Sequence, residues 1–270
     1  MCVAKPARIR SNRQNTLVPW GFEVRLVGTY LMRFAGCSAS EQFCPPIFAV
    51  AIGLFLPFCN SASADDFSWA TPISRSFDQS FAWTPVGIPG PGDAVIFDLG
   101  LTDPAVRYGV ILRDDESVQS VRVESDIVAI VPNGHLLTVD GEGYGLEVAP
   151  DANDLGNVSI IRNQDHVGTV RVTHDARVGV DPGSDGLLLI NALFDVGGDL
   201  ILADQGRGFF QTTQQGQTTI GGDMIVGLAA NSDGTVLLQD AGSLLDVENT
   251  LRIGGAGEGQ LQVVEAGMEL

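Results

Sequence analysis

From Asp65 onward the sequence contains neither cysteine nor lysine: Cys2, Cys37, Cys44 and Cys59 all precede it, and Lys5 is the sole lysine. The first absence excludes disulfides and cysteine-ligated metals from this stretch. The second leaves nine arginines against thirty-one acidic residues, a net charge of −22. Such a field repels phosphate backbones and anionic membrane surfaces, so nucleic acid and membrane insertion are excluded as partners of this part. The acids either keep the surface soluble or recruit divalent cations, and composition alone leaves both open. Aromatics are scarce at 7%, and past residue 110 only Tyr144, Phe194, Phe209 and Phe210 remain, which disfavours a sugar-stacking platform.

What is abundant is glycine, thirty-three in 270 residues, beside 44% hydrophobic residues. That combination supplies a core built from small side chains and many turns, which suits short strands better than helices. The chain is therefore expected to be all-β.

The N-terminal stretch, up to Ala64, differs in kind. Pro45 to Phe58 is an uncharged apolar run, too short for a membrane helix of about 20 residues but of the length of a signal-peptide core. Ala62-Ser63-Ala64 follows as a small-x-small cleavage site, and Asp65-Asp66 opens the acidic part. Residues 1–64 thus read as a signal-peptide region cut after Ala64, with Met32-Arg33 as an alternative start. Cys59 is no lipid anchor, because Phe58 stands where a small residue is required.

Residues 65–104 carry Trp69 and Trp83 and then a proline-glycine cluster from Gly87 to Asp93. This block is expected to cap the first coil of a repeat array with large aromatics. Residues 105–196 alternate brief β-branched runs with turns. The expected strands include Val118–Val123, Ile127–Val131, Leu136–Val139, Val158–Ile161, Val178-Gly-Val180 and Leu187–Ile190. None shows a sustained helical period.

Residues 197–270 repeat openly. Gly197-Gly-Asp-Leu-Ile-Leu-Ala203 recurs 24 positions later as Gly221-Gly-Asp-Met-Ile-Val-Gly227, and more loosely 27 further on as Glu248 to Gly254. Gly234 to Gly242 aligns with Gly259 to Gly267 at an offset of 25. A repeat of this length with two or three strands is one coil of a right-handed parallel β-helix or a related β-solenoid. Alternate apolar residues, Leu200 and Leu202 or Val236 and Leu238, would stack inward on the next coil. The chain stops within a repeat, so a truncated array is expected.

The segment from Ile225 through Gly267 resembles the repeat shared by autotransporter passengers of type V secretion and PEP-CTERM-associated surface proteins. The opening block is similar too, with Ala82-Trp83 where an Asn-Trp pair is common. The resemblance implies a β-solenoid at or beyond the cell surface and brings no catalytic residues with it. For the long leader the resemblance implies, beside the start at Met32, a second reading: the extended signal peptide of some autotransporters.

Candidate sites are few. His135, His166 and His174 lack metal-ligand spacing, although His166 and His174 could face each other across neighbouring strands. Residues 151–156, 181–186 and 231–234 are rich in the oxygen donors of calcium loops, but they break the EF-hand pattern and fit Asx turns. Asp175 with Arg177, or Asp199 with Asp223, could share one face as an acid-base set. Equivalent positions in a solenoid carry equivalent residues for structural reasons, so a turn role is the simpler reading. Asn157-Val-Ser159 is a sequon by pattern. No catalytic, cofactor-binding or metal residue is assigned and no cofactor is expected. The expected function is an exported, non-enzymatic structural or adhesin-like passenger, with polysaccharide or other cell-surface components as partners. The competing expectation is a carbohydrate-active enzyme or carbohydrate-binding module on the same scaffold.

Overall fold

The computed structural model describes residues 64–264, apart from 102, 104, 105, 164 and 165. The signal-peptide region expected at residues 1–64 lies outside these, save Ala64. Among the described residues the single helical element is a 3-10 turn, Ser80–Ala82. Everything else regular is strand.

Three short strands open the fold: β1 (Asp66–Trp69), β2 (Arg75–Ser76) and β3 (Trp83–Thr84). The chain then repeats one three-strand circuit. β4 (Ala94–Phe97), β5 (Tyr108–Ile111) and β6 (Glu116–Val118) make the first coil, and β7 (Ser120–Val123), β8 (Ile127–Val131) and β9 (Leu136–Val139) the second. The third is β10 (Tyr144–Val148), β11 (Asn157–Ile160) and β12 (Thr169–Val172), and the fourth β13 (Asp175–Val178), β14 (Asp185–Ile190) and β15 (Leu193–Val196). β16 (Leu200–Leu202), β17 (Arg207–Thr212) and β18 (Gln217–Ile220) form the fifth, followed by β19 (Met224–Val226), β20 (Asp233–Gln239) and β21 (Leu244–Val247). β22 (Leu251–Ile253) and β23 (Glu258–Val264) begin a seventh.

Each strand pairs in parallel with its equivalents one coil before and after, giving three sheets. The first runs from β1 through β4 and β7 to β22, the second from β2 and β5 to β23, and the third from β6 to β21. The molecule is a parallel β-solenoid of about seven turns. The repeats seen in the sequence are register neighbours: Leu200 pairs with Met224, Met224 with Leu251, and Val236 with Leu261.

Alternation explains the core. Apart from β10, where the register shifts between Tyr144 and Leu146, the strands of the full coils send every second side chain inward, and these side chains stack in columns along the axis. One column of the first sheet reads Phe97, Val123, Val148, Val178, Leu202, Val226, all buried. A column of the second reads Val158, Leu188, Phe210, Val236, equally buried. Leu238, expected inward, lies in the adjacent column and is half-buried.

At the head, Trp69 stacks on Tyr108 at 5.8 Å and 3° and meets Trp83 edge-on at 4.8 Å. Trp83 Nε1 donates to the Phe77 carbonyl at 2.8 Å. β3 pairs antiparallel with β1, closing the edge of the first sheet. The expected aromatic cap is present, extended by Tyr108 from the following segment.

Some strand boundaries differ from expectation. The run Val118–Val123 divides at Gln119 into β6 and β7, which belong to different sheets. Val118 and Val121 are both buried, although three apart they could not share a face of one strand. β13 ends at Val178, because Gly179 adopts φ 67° and turns the chain. β5, β15, β17 and β18 are strands beyond those expected, the last two in the Phe-Phe and polar stretches Arg207–Thr212 and Gln217–Ile220.

Candidate functional site

The turn from the first to the second sheet has a two-residue rule. The residue after the first-sheet strand is left-handed at Ala149, Gly179, Ala203, Gly227 and Gly254, with φ between 51° and 74°. Five or seven residues later a glycine opens the second-sheet strand, at Gly156, Gly186, Gly208, Gly234 and Gly259. A Cβ on any of these would lie 2.3–3.0 Å from the backbone nitrogen of that left-handed residue. The calcium-like loops at residues 151–156, 181–186 and 231–234 are these corners. Their polar groups are turned onto the backbone: Asp151 N–H donates to Asp154 Oδ2 at 2.9 Å, and Ser184 Oγ donates to the Asp181 carbonyl at 2.7 Å. They behave as Asx and related turns.

The carboxylates of the Gly-Gly-Asp repeat have a defined role as well. Asp199 N–H donates to Asp175 Oδ1 at 2.8 Å, Asp223 N–H to Asp199 Oδ1 at 2.7 Å, and Thr250 N–H to Asp223 Oδ1 at 3.1 Å. Each aspartate therefore caps a backbone donor of the next coil. Gly198 and Gly222 leave the space, since a Cβ there would come within 2.0 and 2.2 Å of the preceding coil's carboxylate oxygen. Asp115 takes the Leu136 N–H at 2.9 Å and Asp240 the Gln214 N–H at 3.2 Å. Asp126, fully buried, accepts from Leu99 N–H, Leu101 N–H and the Tyr108 hydroxyl at 2.9, 3.1 and 2.5 Å. Burial and this carboxylate push the Tyr108 phenol far above its ordinary pKa, so it remains a donor.

Two arginines organise the outer side of the first sheet. Arg177 donates from Nε to Glu147 at 2.6 Å, lies 3.9 Å from Asp204, and sits 4.0 Å over the Tyr144 ring. Asp175 and Arg177 share a strand face as expected, but each has its own partner. Arg122 bridges Glu124 at 3.1 Å and Asp151. Glu124 is the most perturbed carboxyl: desolvation and then the charge of Asp98 push it up to about 7, against the opposing pull of Arg122.

Because Glu124 binds its proton more tightly folded than unfolded, it stabilises the fold fully below about pH 4.5, and this contribution is lost as pH rises through about 7. Glu116 and Asp204, both raised chiefly by desolvation, act in the same direction. The melting temperature should therefore fall from pH 5 to pH 7.5. Glu124→Gln should flatten that slope, and a variant with an unchanged slope would show that this carboxyl is not responsible.

The histidines do not converge. His135 Nδ1 lies 3.7 Å from Asp115. His166 and His174 are exposed on the connections before and after β12, so they flank one strand rather than face each other across two. Among the described residues no group of three His, Cys, Asp or Glu side chains is placed to hold a metal ion.

Two surface troughs have a different character. One, of about 600 Å³, runs over the outer face of the second sheet, with Ile127, Val131, Ile161, Leu187 and Leu189 as floor and Ser74, Arg107, Asn157 and Ser159 as polar points. The other, about 420 Å³, lies beside Arg171, Asp195 and Glu248. Neither is lined by Glu124 or Asp98, so the perturbed carboxyl and the concave surfaces are separate. The sequon residues Asn157 and Ser159 both face the first trough. Phe209 continues its apolar face as the register neighbour of Leu187, while Phe210 turns inward. This face escaped the sequence reading, which followed only inward residues. The signal for it was apolar residues at both alternations of β8 and β14.

No family model, curated protein or solved structure matches this chain. No helix among the described residues is long and apolar enough to cross a membrane, which leaves β-barrels unaddressed.

Proposed function

We propose that this chain is an exported, non-enzymatic passenger whose solenoid holds a binding face for polysaccharide or other cell-surface components. The observation that carries this reading is the use of its acids. A hydrolase or lyase gathers carboxylates around a substrate groove. Here Asp175, Asp199 and Asp223 each cap the backbone of the next coil instead. The apolar outer face of the second sheet, interrupted by Ser74, Asn157 and Ser159, is the surface offered to a ligand. The signal-like leader and the resemblance to type V and PEP-CTERM-associated repeats support export.

The experiment is protease treatment of intact cells of the source organism, followed by immunoblotting of surface, medium and cytosolic fractions. Surface or released material is the expected result, and an exclusively cytosolic chain overturns the reading. The trough also favours a second reading, a carbohydrate-binding or carbohydrate-active module. Release of reducing ends or unsaturated sugars from a polysaccharide panel by the purified chain would favour the enzyme over the passenger.

A further inference from the structure

The first trough follows from side-chain size along the outer face of the second sheet. Residues two apart on a strand share a face. Ala129 stands outward between Ile127 and Val131, and Ser159 between Asn157 and Ile161. Gly109, Ala129, Ser159 and Leu189 are register partners in successive coils, so the first three form a low floor parallel to the axis. Their larger neighbours rise on both sides as walls, and Leu189 closes the far end.

The two ends of this trough differ in polarity. Arg107, exposed and immediately before β5, is the one charged residue that lines it. None of the ion pairs among the described residues includes Arg107. At the same end Ser74 Oγ accepts the Gly109 N–H at 2.8 Å, which leaves its own hydroxyl proton to donate outward. The far end, at Leu187 and Leu189, is aliphatic. A cation and a hydroxyl donor thus stand at the entrance to an apolar channel.

From Gly109 to Leu189 the floor spans three coil spacings, about 14 Å. The volume of about 600 Å³ lies inside the roughly 300–1,000 Å³ usual for small-ligand sites. A channel one residue wide, walled by Ile, Val and Leu and carrying one positive charge at its mouth, is complementary to a single extended alkyl chain with a terminal anion. Asn157 and Ser159 are only half-buried, so they keep water on the open side while the chain lies against the aliphatic walls. A bilayer is a poor source of such a ligand, because the net charge of −22 repels an anionic surface. A lone carboxylate feels chiefly its neighbour Arg107, since exposed charges beyond about 10 Å are screened at 0.1 M salt.

We propose that this trough binds a free linear fatty acid, with its carboxylate at Arg107 and Ser74 and its chain along Gly109, Ala129 and Ser159 towards Leu189. The inference rests on the reading of this trough as the ligand face and names the ligand class. The test is titration of the full chain with dodecanoate below its micelle concentration, at about pH 8 where the carboxylate is ionised. Calorimetry should give saturable one-to-one binding, and the methyl resonances of Ile127, Val131, Ile161 and Leu187 should shift. From octanoate to dodecanoate the affinity should rise about twofold per methylene, half the free energy of full burial because one side of the trough is open. No saturable binding, or binding that leaves those methyls unmoved, overturns the proposal.

Variants on the outward face locate the ligand. Ala129→Leu fills the middle of the floor and should abolish binding while the melting transition stays in place. Ser159→Leu does the same one coil on and serves if Ala129→Leu does not fold; undiminished binding in the folded variant overturns the site. Arg107→Gln should weaken dodecanoate by about tenfold and leave dodecan-1-ol unaffected. An equal change for both ligands, none included, overturns the placement of the carboxylate. If a polysaccharide shifts the same methyls and dodecanoate does not, this inference falls and the passenger reading stands. If dodecanoate binds a chain that fractionates only with cytosol, the passenger reading falls and this inference stands.

Discussion

Trp83→Ala should lower the unfolding free energy by about 3–5 kcal/mol, the range for removing a large buried aromatic whose site cannot collapse. Trp83 is 1% exposed and packed edge-on against Trp69 and Phe77, at 4.8 and 5.1 Å between ring centres. Its removal opens a void beneath the whole aromatic cluster. It also leaves the Phe77 carbonyl without its indole donor. Because a solenoid coil is stabilised mainly by its neighbours, the loss should be local in its first effect. Hydrogen exchange should quicken in β1, β3, β4 and β5 before it quickens in β14 or β17. Urea denaturation with exchange mass spectrometry reads both quantities, and uniform loss of protection along the array would mean that the head does not act as a cap.

The second large effect is expected at a residue with no side chain. Gly186→Val should cost about 3 kcal/mol or more, at the upper end of overpacking changes. An added Cβ at Gly186 would lie 2.7 Å from Gly179 N and from Val178 Cγ1, and 3.0 Å from the Val148 carbonyl. Two of these three atoms are backbone, held by the ladder of adjoining coils, so neither can retreat. Gly208 and Gly234 occupy the same register, and Gly234→Val should behave alike. Gly92→Ala, with nothing within 4 Å of its Cβ, serves as the control and should stay within about 0.5 kcal/mol of the parent. A Gly186→Val protein with the parent's denaturation midpoint would contradict the corner geometry.

The coils were legible where their lengths agree. Ala176, Leu200 and Met224 are register partners at one constant spacing, and there the sequence repeats visibly. Earlier coils escaped because the step from Leu146 to Ala176 is longer than the step from Val121 to Leu146. The difference is absorbed in the corners, and no fixed offset can align such coils. Turn chemistry at residues 151–156, 181–186 and 231–234 was also legible, because aspartate and serine bonding to nearby backbone is a local matter. The pairing of a left-handed residue with a glycine five or seven positions on was present in the sequence too. It becomes recognisable only once the five corners are superposed.

Other features depend on contacts between distant segments. That Asp199 holds the backbone of Asp223, that Asp126 accepts from Leu99, Leu101 and Tyr108, and that burial, with the nearby charge of Asp98 second, pushes Glu124 up to about 7 all require neighbouring coils in register. The sequence by itself determined the strand-turn-strand alternation, the glycine corners and the stacking of like residues, because side-chain direction in a strand has a period of two and needs no distant partner. Only the tertiary structure decided which acids became backbone caps, that Phe210 points inward while Phe209 joins an outer apolar face, and that Tyr108 packs with Trp69 and Trp83 at the head. Each of those outcomes depends on which coil lies above and below, and that is set by packing between segments a full coil apart in the chain.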